Sequence, residues 1–301
     1  RCLNCQNLFG SADWKCPRCE IAPPLDSGIP IFAAELAATD VNFDPAAFAR
    51  LAQVEDRNFW FRSRSNLIAQ FVGAFFPDAC RFLEVGVGTG VVHAAIARAH
   101  PQLELHASEM LLSGVRHARE KLGSKSHLYQ MDARNIPFEA EFDLIGAFDV
   151  IEHITEDEQV LGAMRRALRP GGGILLTVPQ HPWLWSGQDE TARHKRRYTA
   201  PELHTKVERA GFQILRSTSF VTLLLPALAA IRVLERKPRA HNETATGLGL
   251  PGMVNAVLYC IMEAERTLLL PWLNLPVGGS RIVAARAVDV GNSTGPRPTP
   301  G

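Results

Sequence analysis

The stretch Leu83-Glu84-Val85-Gly86-Val87-Gly88-Thr89-Gly90 constrains this chain more than any other. The apolar run 80–85 predicts a buried strand, and 91–99 predicts a helix opening just past the last glycine. Glycines at alternate positions let the backbone turn sharply and let a ligand come against bare main chain. A helix start behind such a turn also offers unpaired N–H groups. The glycines stand at 86, 88 and 90, which is not the G-x-G-x-x-G spacing of a dinucleotide turn.

Beyond the loop, strands and helices alternate. Strands are expected at 103–107, 127–130, 142–148 and 174–178, with helices at 111–122 and 156–168 between them. Such alternation predicts an α/β fold, a parallel sheet with helices on both faces. Ligands in these sheets bind beyond the carboxyl ends of the strands, and Glu84, Glu109, Asp132 and Asp149 all fall at or near those ends. Glu109 lies nineteen residues past Gly90, where an acid accepts both hydroxyls of an unphosphorylated ribose. A helix at 201–210, a sixth strand at 212–218 and a last strand at 281–287 complete the pattern.

That leaves 219–280 as an insertion with two apolar blocks. The first, 220–231, is twelve residues long and contains Pro226; the second, 256–275, is cut by Glu263, Glu265 and Arg266. Neither reaches the ~20 residues that span a bilayer. Paired amphipathic helices in a membrane surface fit these blocks, as do a helical cap over the substrate pocket and a dimer contact.

Four of the six cysteines open the chain as Cys2-x-x-Cys5 and Cys16-x-x-Cys19. Two such pairs across a ten-residue loop can converge on one tetrahedral zinc ion, whose binding would fold a segment too short for a core. Cys80 and Cys260 sit in apolar stretches and are expected as buried small hydrophobes. Hydrophobic content of 46% and charged content of 21% are those of a globular chain, and a net charge of +1 gives no reason to expect DNA or another polyanion. No signal peptide is evident, so the expected location is cytoplasmic, with peripheral contact to the inner membrane surface through the insertion.

The E-x-G-x-G-x-G run resembles motif I of the class I S-adenosylmethionine (SAM) methyltransferases. The resemblance implies a Rossmann-like seven-stranded sheet and SAM as cofactor, held by Glu84, Gly86, Gly88, Gly90 and Glu109. Asp132, with Ala133, resembles the acid that accepts from the adenine amino group. Phe148-Asp149-Val150-Ile151-Glu152-His153-Ile154 is similar to the small-molecule group related to the ubiquinone-biosynthesis O-methyltransferases. In some of those, two acids and a histidine hold a divalent ion, which implies Asp149, Glu152 and His153 here. The first position is Asp where that pattern has Glu. Aromatics and arginines at 57–64 resemble a lid over the cofactor, with Arg64 implied as a contact to the SAM carboxylate. Pro17 and Trp14 beside Cys16 resemble a zinc-ribbon or rubredoxin-type knuckle.

After the fifth strand come Asp189, His194 and an H-x-R-R-Y run similar to the same group. A hydroxyl acceptor must lose its proton, and histidine titrates near working pH. His194 is the first candidate base and His153 the second, with Asp189 as orienter. The expected organisation is a zinc knuckle (1–22), a linker and helix (23–57), the core (58–218), the helical insertion (219–280), the last strand (281–288) and a disordered tail (289–301). The expected activity is methyl transfer to oxygen or carbon of a small or lipid-like acceptor. Its rivals are an RNA base methyltransferase with a zinc ribbon and a silent SAM-binding scaffold.

Overall fold

A computed structural model describes residues 1–11, 13–37, 45–235 and 250–288, apart from the side chains of 45–47 and 233–235. The expected tail over 289–301 lies outside the described residues. A short hairpin, β1 (Leu25–Asp26) and β2 (Ile29–Pro30), precedes the main sheet. The sheet contains β3 (Arg81–Val85), β4 (Glu104–Glu109), β5 (Ser126–Gln130), β6 (Phe142–Phe148), β7 (Leu168–Pro179), β8 (Phe212–Phe220) and β9 (Ser280–Ala287). Their order is β5-β4-β3-β6-β7-β9-β8. β3 pairs in parallel with β4 and β6, whereas β9 runs antiparallel between β7 and β8. This is the seven-stranded, Rossmann-like arrangement expected, with β9 reached only after the insertion.

The helices are α1 (Ala34–Ala37), α2 (Pro45–Val54), α3 (Phe59–Phe75), α4 (Val91–Ala99), α5 (Leu112–Leu122), α6 (Asp157–Ala167), α7 (Gly187–Thr191), α8 (Ala200–Arg209), α9 (Leu225–Glu235) and α10 (Gly252–Ala264). Because strand side chains alternate, each strand feeds two cores. Phe82, Leu144, Leu175 and Ile282 pack with α3 and α4 on one face. Leu83, Ile145, Leu176 and Val283 pack with α6 and α8 on the other. α5 closes the β4–β5 side through Val115 and Ala118 against Ala107 and Leu128.

Two glycines show why the loop after β3 needs its composition. Gly86 has φ +73°, and a Cβ there would stand 2.5 Å from Val150 Cγ2. Gly88, at φ +54°, faces open space where a Cβ would meet nothing within 4 Å. The first glycine lets the chain turn tightly, and the second leaves bare backbone toward the sheet edge.

Three expectations change. Residues 59–64 form the start of α3 rather than a separate lid: Asn58 caps the helix and Trp60 stacks on Phe220 at 5.8 Å. The insertion is helical, as expected, but α10 is bound to α3. Asn255 Oδ1 accepts from Phe59 N at 2.8 Å, Arg266 Nη1 donates to Gln70 Oε1 at 2.8 Å, and Arg62 lies 4.0 Å over the Tyr259 ring. Cys80 and Cys260 are exposed, not buried. Cys80 sits at the outer mouth of β3, its N–H on Asp143, and Cys260 stands off the Tyr259–Glu263 row that meets Asn66 on α3. No helix among the described residues is long and apolar enough to cross a membrane.

Candidate active site

Parallel pairing brings the four expected acids to one edge of the sheet. Glu109, the last residue of β4, accepts from Gly88 N at 3.0 Å through Oε2 and from Met110 N at 2.8 Å through Oε1. It therefore ties the glycine loop to the start of α5. Leu111 N also reaches Oε1, at 3.3 Å. Asp132 caps a short 3-10 turn at Ala133 and holds the Arg134 guanidinium at 2.8 Å.

Glu84 is turned inward. It is 2% exposed, and its Oε2 lies 3.1 Å from Nδ1 of His93, whose Nε2 meets Ser126 Oγ at 3.2 Å. Burial pushes the Glu84 carboxyl up, and His93 offsets part of that. Asp149 follows β6 with φ +57°, a left-handed conformation uncommon outside glycine. Its Oδ2 is 2.8 Å from Arg64 Nε, and its Oδ1 accepts from Thr177 Oγ1 at 3.1 Å. In this structure the buried Arg64 thus faces Asp149.

Beside this pair, Glu152 is fully buried and neither carboxyl oxygen has a hydrogen-bond partner. Burial, and then the Asp149 charge, hold it well above the usual carboxylate range. His153 is pulled down to about 4 by burial and then by His194. The His153 and His194 rings meet edge to face at 4.7 Å. His194 Nδ1 lies 2.8 Å from Asp189 Oδ1, which also takes Arg197 Nε at 2.8 Å, while Asp189 Oδ2 accepts from Ser186 N at 3.0 Å. Arg232 of α9 comes to 3.7 Å from the same carboxylate. Burial alone would raise Asp189; His194 and Arg197 reverse that and hold it below its ordinary value.

The expected ion trio of Asp149, Glu152 and His153 is not assembled, because Arg64 occupies Asp149. Glu152, His153 and His194 are the three that come within 4.8 Å of one another. The expected donor set does not fit an ion, and no chemistry is routed through one. Arg197, Arg232 and Thr177 were not expected as site residues. Arg197 stood in plain view within the H-x-R-R-Y run, but Arg232 carried no signal, being an ordinary charge between apolar residues of the insertion.

At the other end of the chain, the two cysteine pairs have the same local geometry. Gln6 N donates to Cys2 O and Glu20 N to Cys16 O, at 3.0 and 2.8 Å, and both Gln6 and Glu20 have φ near +60°. The sulfurs of Cys2 and Cys19 are 3.5 Å apart and those of Cys5 and Cys16 are 3.6 Å apart. A tetrahedral site with ligands at ~2.3 Å needs sulfurs about 3.8 Å apart. Trp14 fastens the knuckle to the domain, edge-on to Phe32, Tyr129 and Phe138 at 5.2, 5.8 and 5.6 Å.

Comparison with known proteins agrees with this geometry. Residues 82–172 match the family model of a methyltransferase domain. A probable S-adenosylmethionine-dependent methyltransferase of Mycolicibacterium smegmatis is 29% identical over 163 residues, covering 53% of this chain and 61% of the relative. A phosphatidylethanolamine N-methyltransferase of Cereibacter sphaeroides is 33% identical over 99 residues, covering 32% and 49%. The chain spans about half to three fifths of the length of these two relatives. Phosphoethanolamine N-methyltransferase 2 of Haemonchus contortus, solved with SAM, shares the fold at a TM-score of 0.56 and 17% identity, covering 84% of this chain and 60% of that one. Residues 82–172 match a methyltransferase domain, and the sheet that holds them has the class I methyltransferase fold.

Asp189 is the node of this edge, and its loss leaves Arg197 buried without a counter-charge. Asp189→Ala is expected to cost about 3–5 kcal/mol, read as a lower urea midpoint by circular dichroism. A midpoint within error of the parent would show that Asp189 does not organise the loop.

Proposed function

We propose that this protein transfers the methyl group of SAM to oxygen or carbon of a small or lipid-like acceptor, with His194 as the base that Asp189 orients. The observation that carries this reading is the Asp189–His194 pair, which stands at the same sheet edge as the glycine loop and Glu109. The residues fit SAM: Gly88 leaves bare backbone facing open space, and Glu109 stands at the end of β4 as an acceptor for ribose hydroxyls. Bound SAM supplies an electrophilic methyl on a sulfonium. With Nδ1–H of His194 donating to Asp189 Oδ1, Nε2 is left with its lone pair for the acceptor's proton. Asp132 suits the adenine amino group, and Arg64, already near Glu84 and Asp149, suits the methionine carboxylate. His153, kept neutral by burial, is the second proton carrier.

A relative whose name gives phosphatidylethanolamine as substrate supports a lipid-like acceptor, although that name gives nitrogen as the accepting atom. Met253 and Trp272, 82% and 81% exposed on the insertion, support a peripheral membrane contact. The sulfur spacing supports zinc at Cys2, Cys5, Cys16 and Cys19 as a structural ion.

Three measurements test these assignments. With methyl-labelled SAM and a cell extract, label is expected in the organic-soluble small molecules, and His194→Gln should reduce turnover about 10²–10⁴-fold at unchanged SAM affinity. Label in RNA would replace this acceptor class, and undiminished turnover would remove His194 as base. Glu109→Ala should weaken SAM binding by about 10- to 100-fold in calorimetry, since hydrogen bonds to a charged group are at stake. An affinity within threefold of the parent rules out the ribose role. Elemental analysis should find one zinc per chain, released in Cys16→Ser with unfolding of the knuckle. Less than half an equivalent in the parent would dismiss the ion.

A further inference from the structure

Three arginines of the described residues are buried to within 6% of full burial: Arg64, Arg197 and Arg281. Two have a carboxylate 2.8 Å away, Arg64 with Asp149 and Arg197 with Asp189. Arg281, 4% exposed on β9, has none. Its Nη1 donates to Ser217 Oγ at 2.8 Å, and its Nη2 donates to Ser219 Oγ at 3.0 Å and Pro276 O at 3.2 Å. Its Nε is buried with no partner at all. A guanidinium stays charged in a protein, so burying one among neutral oxygens carries a large desolvation cost that only an anion offsets.

The surroundings repeat the pattern. His204 of α8 places Nε2 2.7 Å from the same Ser217 hydroxyl. His181, just past β7, has φ +64°, and its Nε2 is buried and unpartnered. Ser219 Oγ, which holds Arg281, donates to Gln180 Oε1 at 2.7 Å and so ties the residue before His181 to the guanidinium. Burial first, and the Arg281 charge second, hold both imidazoles below their ordinary value. Arg281 pairs in register with Val178 and Ser219, one residue from the start of β9. β9 runs antiparallel, so its start lies at the carboxyl edge where the acceptor must enter. An orphaned cation, two imidazoles and two serine hydroxyls, with no carboxylate on the guanidinium, have the chemistry of an oxyanion site.

We propose that Arg281, His181 and His204 form a binding site for a phosphate ester group carried by the acceptor. The guanidinium supplies its charge and its unpartnered Nε–H, and the histidines supply two further donors when an anion holds their protons. Ser217 and Ser219 orient the guanidinium from behind. The assignment rests on the methyltransferase reading for its place in the reaction, but the binding itself does not depend on it.

Thermal unfolding of the full chain in phosphate against chloride, at matched ionic strength, reads the site directly. Inorganic phosphate about tenfold above its Kd should raise Tm by roughly 2–3 °C. Arg281→Gln should lose that rise while melting no lower than the parent in chloride, because it removes an uncompensated charge. No rise in the parent, or a full rise in Arg281→Gln, overturns the proposal. If Arg281→Gln melts low in chloride, His204→Gln decides: phosphate affinity at least about fivefold weaker supports the site, and unchanged affinity overturns it. O-phosphoethanolamine and dihexanoyl phosphatidic acid, titrated beside inorganic phosphate, identify the source. Tighter binding of either ester supports an acceptor group, and esters no tighter than inorganic phosphate overturn that part. SAM binding is followed on the same samples by calorimetry; its loss would count against the methyltransferase reading and leave the phosphate result standing.

Discussion

Parallel pairing of β3 with both β4 and β6 is the constraint on which the rest depends. It sets Glu84 opposite Ala107 on one side and Gly146 on the other. The glycine loop is then stitched to β4, with Gly86 N and Val87 N both donating to Ser108 O at 2.8 and 2.9 Å. With that register in place, each strand end delivers its next residues to the same edge. Glu109, Asp132 and Asp149 stand together for no reason local to any of them. A shift of one residue in β3 would exchange Phe82 and Leu83 between the two cores, so the hydrophobic pattern protects the register of the site.

The parts legible in the sequence are those that this periodicity writes. Strand and helix positions from β3 to β8, the interrupted return to β9, and the acids at the strand ends all follow from apolar spacing and glycine placement. Contacts between side chains far apart in the chain were not legible. Arg64 looked like a cofactor contact because it stands among aromatics before the first core strand. Only the folded chain shows it 85 residues upstream of the Asp149 it meets at 2.8 Å. The run 57–64 fits a lid or simple helix packing in sequence, and the fold shows the packing. Asn58 makes a good helix cap, and the run after it extends α3 by several residues, with Trp60 spent on Phe220 of β8.

The insertion shows the same division. Its helices were legible from two apolar blocks, which pack Val221, Met262 and Leu270 into the core beside α3, but its polar fasteners were not. Asn255, Tyr259 and Arg266 bind α10 to α3, and buried Glu265 accepts from Thr222 N and Leu223 N at 2.7 and 2.8 Å. Those residues interrupt the apolar pattern and so read, in sequence, as breaks. In the fold they are the fasteners. Arg232 extends the same logic to the acceptor side: it meets Ser186 and Asp189, so a change in α9 is felt at the His194 orienter.

The electrostatics around Glu152 explain how this edge stays ready without filling with charge. Arg64 and Arg197 both act to lower the Glu152 carboxyl, yet burial and the Asp149 charge outweigh them and keep it well above the usual carboxylate range. Each guanidinium has already spent most of its field on its own carboxylate, Asp149 or Asp189, at 2.8 Å. A carboxyl held well above its usual range and a His153 imidazole held down to about 4 therefore stand beside His194. Neutral groups in a buried pocket cost far less to desolvate than ions. The unmet hydrogen-bonding capacity of Glu152 can then be satisfied by a ligand rather than by rearranging the ion pairs on either side. The two salt bridges do not merely fasten loops; each pairs its guanidinium with a carboxylate and leaves Glu152 between them as the unpartnered polar group.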